Sequence, residues 1–309
     1  MDRGCSDMAR KRKASLLSAT TSEKIFEVVN SIFLILVSLL ILYPFWNCII
    51  LSFNDGVDAY KGPIFFWPRK FTLDNYKYLF QNNLMLIAFR NSLLRTVIGT
   101  VLHVGFTGLA AYGLSKRWIM GRKWYMLYFV ITMYFNGGMI PNYLLMKNLG
   151  LLNNFLVYII PSMWGFYNAI LFMSFYDSIP ESLEEAATID GAGKFQIYLR
   201  IILPASMPIV ATIIIFQGVN QWNSWLDTLI YTKSSSLVTL QSIMARMTEE
   251  MEYLQNMSEK MGASATQVSI KPATIRVATL VLTTFPITVI YPFFQKYFVG
   301  GIMLGAVKE

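Results

Sequence analysis

EAATIDGAGKFQIYLRIILP, residues 185–204, is the stretch on which the reading of the whole chain turns. It lies between two apolar runs and is too polar to cross a bilayer. Just upstream, Ser178-Ile179-Pro180-Glu181 reads as a helix start. Ser178 stands at a capping position, Glu181 three residues on completes a capping box, and Pro180 falls in the first turn, where its missing N–H is harmless. The helix is expected to run to about Ile189 and stop at Asp190-Gly191, because glycine tolerates the left-handed closing conformation. Leu183, Ala186, Ala187 and Asp190 then share one face at i, i+3, i+4, i+7 spacing, flanked by Glu184 and Glu185. Paired alanines at the centre of a short helix let another backbone come close. After Gly193 a second segment begins and becomes the next membrane span near Leu199.

Composition sets the surroundings of this stretch. Of 309 residues, 55% are hydrophobic and only 14% charged. Soluble domains carry nearer a quarter charged residues, so the chain belongs in a membrane. The formal net charge of +8 then reflects loops facing anionic lipid, not nucleic acid. Cys5 and Cys48 are the two cysteines; one lies in the polar N-terminal arm and one in or near the first span. They imply neither a disulfide nor a metal framework.

Outward from the central stretch, the apolar runs give six spans of roughly twenty residues. Residues 1–24 form a basic arm with Arg3, Arg10, Lys11, Arg12, Lys13 and Lys24. The following run, 28–53, is too long for a signal peptide and lacks a small-residue cleavage site, so it reads as a retained first span. Residues 54–83 interleave aromatics with charge, as a segment at the membrane–water boundary does. The second span is 85–114; Arg90 and Arg95 toward its outer end are expected to snorkel or face the interior. Lys116, Arg117, Arg122 and Lys123 crowd the next short loop and mark it as cytoplasmic. The third span, 124–135, continues into a stretch where Asn136-Gly137-Gly138 and Pro141 break regular helix. The fourth is 155–175, and its exit places 178–204 in the cytoplasm. The fifth is 199–216. An external loop, 219–273, follows, with Leu240, Ile243, Met247, Met251 and Leu254 at helical spacing among Glu249, Glu250 and Glu252, an amphipathic helix too charged to span. The sixth, 275–294, holds Pro286 and Pro292 as expected kinks. The domain is thus 25–299, with a cytoplasmic tail at 300–309.

Catalytic signatures are missing. Gly193-Lys194 is the nearest approach to a Walker A loop, but Thr188 stands where its first glycine belongs and Phe195 where Ser or Thr must reach Mg²⁺. His103 is the only histidine, which excludes multi-histidine metal sites; an interhelical histidine with its ring nitrogens satisfied is the simpler reading. No Gly-x-Ser-x-Gly elbow is present. The spans carry no Asp or Glu at mid-depth, with Glu27 and Asp177 at the ends, which weighs against a proton- or sodium-coupled carrier acting alone, the alternative reading.

The ordered string Glu185-Ala186-Ala187, Asp190-Gly191-Ala192 and Leu203-Pro204 resembles the EAA loop of ABC importer permeases, the element that docks in a groove of the ATPase. The segment FTLDNY, 71–76, and the C-terminal QKYFVGGIMLGAVKE, 295–309, resemble the carbohydrate-uptake, maltose-type group of that family. The resemblance implies an all-α membrane protein, a type I importer domain of six transmembrane helices with a cytoplasmic coupling helix between the fourth and fifth. It implies a non-catalytic permease subunit of an ATP-driven importer of sugars, oligosaccharides above all, in the bacterial cytoplasmic membrane, with both termini cytoplasmic. Its partners would be a second, non-identical permease, two ATPase subunits that bind the ATP and Mg²⁺, an extracytoplasmic sugar-binding protein and membrane lipid, with no nucleic acid. Cofactors and metals are expected to be none in this chain. Glu184, Glu185, Ala186, Ala187, Asp190 and Gly191 would form the ATPase-coupling helix, and the tail from Gly300 to Lys308 would reach the ATPase. The long external loop stands where the maltose-type subunit probes its binding protein. A sugar path needs aromatic faces and amides, for which Asn136, Trp164, Tyr167, Asn168, Gln217, Asn220 and Trp222 are the candidates.

Overall fold

The computed structural model describes residues 21–59, 61–261 and 272–306. Most of the expected basic arm, Cys5, residues 262–271 of the expected external loop, and Lys308 of the tail lie outside the described residues. Those described are helical apart from turns and one isolated antiparallel bridge, Asn54 to Phe71.

Helix α1, Thr21–Ser52, is followed by a single turn at Gly56–Ala59, by α2, Asp74–Gln81, and by α3, Asn83–Ser115. Then come α4, Arg122–Tyr134, and α5, Met139–Asn148. Two 3₁₀ turns at Phe155–Tyr158 and Ile160–Ser162 lead into α6, Phe166–Tyr176. Helix α7, Ser182–Ile189, precedes a helical segment α8, Lys194–Ala205, with a π turn at Tyr198–Ile202. Helices α9, Met207–Asn223, α10, Leu226–Tyr231, α11, Leu240–Met261, and α12, Pro272–Ala306, complete the chain.

Length and apolarity allow three of these to cross a bilayer, within α1, α3 and α12, or up to five if the bent pairs Phe155–Ser162 with α6 (45°) and α8 with α9 (82°) each count as one. The six expected spans are therefore not matched one for one by straight helices. The third falls short because α4 has 13 residues, about 20 Å, against a hydrocarbon core of about 30 Å. The Asn136-Gly137-Gly138 break separates it from α5, with the Asn136 side chain accepting from Gly138 N at 2.9 Å.

The fifth span begins later than expected. Residues 199–205 belong to α8, and the chain turns through 82° before α9 starts at Met207. Pro204 and Pro208 lack amide donors and push against the carbonyls one turn back, so an unbroken α-helical ladder cannot pass through. The π turn absorbs the first of these conflicts. At its other end α9 runs on to Asn223, so the first residues of the expected external loop are helix. The expected kinks at Pro286 and Pro292 leave α12 continuous, and it carries Gly300 to Ala306 as helix.

Helix α3 is the axis of the bundle, packing against α9 and α6 along its length and against α11 near its start. Small buried residues, Ala88 and Ala111, line its contacts. Polar side chains tie its N-terminal half: Asn91 donates to the carbonyls of Ser236 and Val238, and Ser92 accepts from Leu240 N. These bonds seat the expected amphipathic stripe, with Leu240 and Ile243 buried and Met247 packed against them. The FTLDNY segment is a tie. Asn75 donates to the carbonyls of Ser52 and Asn54 and accepts from Thr274, joining the end of α1 to the start of α12.

Arg95, one of the two arginines of the second span, faces the interior with 2% of its side chain exposed, while Arg90 is exposed. Its guanidinium donates to both carboxylate oxygens of Asp227, at 3.1 and 2.5 Å, to Gln221 and to the Ser224 carbonyl, and lies 4.5 Å from the Tyr158 ring centre. Arg95→Met alone should destabilise the protein by about 3 kcal/mol, because Asp227 is left uncompensated. Adding Asp227→Leu should restore most of that loss in denaturation measurements on the purified protein in micelles.

Candidate coupling site

Helix α7 emerges between α6 and α8. Its start differs from the expected capping box: Glu181 occupies the cap position in helical conformation with no side-chain cap bond. Ser178 donates its hydroxyl to the Phe175 carbonyl at 2.6 Å. The cause is local, since Ser178 N and Ile179 N still bond back to Phe175 and Tyr176, so Ser178 closes α6 and does not open α7. Glu184 and Glu185 in the first turn suit the positive end of the helix dipole.

The other end closes at the expected Asp190-Gly191. Gly191 takes φ +82°; its N–H bonds to Thr188 O at 3.1 Å and Ala192 N–H bonds to Ala187 O at 2.9 Å. This pair of bonds is a Schellman closure, which satisfies carbonyls the helix end would leave bare.

The expected shared face divides. Leu183, Ala186 and Asp190 are exposed, as are Glu185 and Ile189, but Ala187 is 7% exposed and packs into the core that holds Tyr112, Tyr176 and Ile197. Glu184, one turn back, also points inward. Lys116 donates to one of its oxygens and Tyr112 Oη to the other at 3.2 Å, with the Lys116 ammonium 4.4 Å from the Tyr112 ring centre. The side chains of Lys116 and Glu184 are 21% and 17% exposed. Glu184, read from sequence as a flanking charge, is thus an anchor. The i, i+3 spacing of Glu184 and Ala187, opposite a lysine-bearing loop, is the signal that reading passed over. That basic loop also stitches itself to α3, since Arg122 Nε donates to Leu114 O at 2.8 Å.

The sugar-path candidates fall in several places. Asn136, Tyr167 and Asn220 are exposed, and Gln217 is buried. Trp164 packs with its ring tilted against Phe129 and Phe166. Asn168 bonds His103 Nε2 at 2.8 Å, and His103 Nδ1 lies 2.6 Å from the Ser162 carbonyl, so the lone histidine joins α3 to α6. Trp222 donates its indole N–H to Thr283 O on α12 at 2.9 Å. Gln221, between two nominated residues, was overlooked. It accepts from Arg95 and donates to Ser162 Oγ at 2.6 Å. Among the described residues no group of three or more His, Cys, Asp or Glu gathers as a metal site.

The family model described as "Binding-protein-dependent transport system inner membrane component" matches residues 17–303. The chain belongs to this family. It is 34% identical over 285 residues, 92% of this chain and 99% of the relative, to the "Polygalacturonan/rhamnogalacturonan transport system permease protein YtcP" of Bacillus subtilis strain 168. It is 35% identical over 289 residues, 94% of this chain and 97% of the relative, to "Protein LplC" of the same organism. A chain of the crystal structure of a bacterial ABC transporter involved in the import of the acidic polysaccharide alginate superposes with TM-score 0.79 at 29% identity, over 91% of this chain and 99% of that one. The inner membrane component described here is accordingly a non-catalytic ABC permease subunit, with ATP hydrolysed by a separate subunit.

Gly191→Ala should weaken the closure of α7 by about 1 kcal/mol, the strain of a β-carbon in the left-handed region. Hydrogen exchange at the Gly191 and Ala192 amide positions should quicken about fivefold, while exchange in α3 stays unchanged.

Proposed function

We propose that this chain is one of two transmembrane subunits of an ATP-driven importer of oligosaccharides in the bacterial cytoplasmic membrane, and that α7 carries the stroke of the ATPase. It forms half of the translocation path beside a second, non-identical permease. Two ATPase subunits bind ATP and Mg²⁺ beneath it, and an extracytoplasmic binding protein delivers the sugar.

The observation that carries this reading is the build of α7. It is an eight-residue helix, closed at its end, held by its inner face and left with Glu185, Ala186 and Asp190 exposed. A helix with an anchored inner face and an uncovered outer face is suited to fit a groove on another protein. The Lys116–Glu184 pair supports the topology: it puts α7 on the same side as the Lys116–Lys123 loop, whose four cations favour the cytoplasm. The cargo class follows from the similar proteins, one named for polygalacturonan and rhamnogalacturonan and one involved in alginate import.

The test is reconstitution of this chain with its co-purifying permease, ATPase and binding protein, followed by uptake of labelled oligosaccharide. Uptake should require ATP. The double variant Glu185→Ala, Gly191→Pro should insert normally yet lose uptake by about tenfold or more, a coupling loss of ordinary allosteric size. Ion-gradient-driven uptake by the purified chain alone would overturn the proposal.

A further inference from the structure

Bare backbone leaves α7 free to swivel. The segments on either side, Asp177–Glu181 and Ala192–Gly193, are not helical. What removes that freedom is a set of side-chain contacts converging on the last turns of α3. Lys116 stands at the C-cap of α3, where a cation also suits the helix dipole, and holds Glu184 of α7. Tyr112, one turn earlier, bonds the same carboxylate and touches both arms of the loop: its ring centre lies 6.2 Å from Tyr176 at the end of α6 and 5.2 Å from Tyr198 in α8. Tyr176 Oη donates to the Gly108 carbonyl at 3.2 Å, and a β-carbon at Gly108 would sit 2.9 Å from Tyr198 Oη. The arm before α7, α7 itself and the arm after it therefore all bear on residues 108–116 of α3, a patch about 12 Å long.

We infer that Glu184 and Lys116 form a strut that makes α7 and the inner end of α3 move as one body, so that α3 is the first span to receive the stroke. The inference rests on the coupling role proposed above for α7. Glu184 is a positioning residue in this scheme and faces α3, while Glu185 remains free for the ATPase. The pair is four-fifths buried, so salt screens it far less than an exposed pair. Helix α3 then carries the displacement from Lys116 over about 32 to 38 Å of helix to Arg95 and Asn91, which grip α9, α10 and the segment before α11.

The experiment uses the full complex with its binding protein in proteoliposomes, reading ATP hydrolysis and uptake together. Glu184→Gln and Lys116→Met should each lower uptake per ATP by about tenfold, and the exchange Glu184→Lys, Lys116→Glu should recover most of it. A second arm keeps the strut testable if the exchange folds badly. In a Cys5→Ser, Cys48→Ser background, Glu184→Cys and Lys116→Cys are joined by a short bis-thiol-reactive linker. Coupled uptake that survives the link supports a rigid unit; uptake that stops shows that α7 must part from α3 and overturns it. Wild-type uptake per ATP in both single variants also overturns the strut while leaving the coupling reading intact. A wild-type complex that imports without ATP overturns both.

Discussion

Arg95 holds a permanent charge inside an apolar bundle, and such a group persists there only if its donors are met on all sides. Here the matching partners come from distant parts of the chain. Asp227 and the Ser224 carbonyl follow α9, Gln221 lies within it, and Tyr158 belongs to the 3₁₀ turn before α6. Satisfying one guanidinium therefore fixes where α3, α9 and the lead into α6 stand relative to one another. The polar seam continues inward along α3 through His103, bonded to Ser162 and Asn168. In a medium where apolar contact alone has little directional preference, such bonds select one packing among many.

The C-terminal end of α3 is organised on the same principle with different chemistry. Three tyrosines and one ion pair take over where the buried arginine leaves off. Their rings supply apolar contact to the core, while the Tyr112 hydroxyl finds a carboxylate and the Tyr176 hydroxyl a carbonyl. The outward surfaces obey the opposite rule. In the apolar stretch of α1 none of the span is buried within this chain, and Phe65, Phe66 and Trp67 after it are more than half exposed. Such surfaces are suited to lipid or to another protein.

Much of this was legible from residues because periodicity and punctuation act locally. The long apolar runs marked α1, α3 and α12, and the stripe through Leu240, Ile243 and Met247 marked α11. Gly191 marked the end of α7, since few residues other than glycine accept its backbone angle. Most of the failures share a cause, dependence on a partner remote in sequence; the cap at Ser178 failed locally, through the end of α6. Ser178 looked like a cap until Phe175 took its hydroxyl. Ala187 and Glu184 looked like parts of an outward face until Tyr112 and Lys116 drew them inward. Gln221 has no local signature whatever, for its role exists only through Arg95 and Ser162. The early start assigned to the fifth span has another origin. Apart from Arg200 and Ser206 the run from Leu199 into α9 is apolar, and hydropathy does not register direction, so a right-angled turn within it leaves little trace except its two prolines.

That turn at Ser206 has a mechanical consequence. A segment set at 82° to the span it feeds has the geometry of a bell crank, in which sliding along one arm would become a sideways shove on the other. The Ser206 hydroxyl makes no bond there, while its amide bonds back to the Ile202 and Leu203 carbonyls, so the angle is set by proline sterics and backbone bonds and not by the serine side chain. An elbow of that kind can open or close by some degrees without rupturing any side-chain bond at its apex.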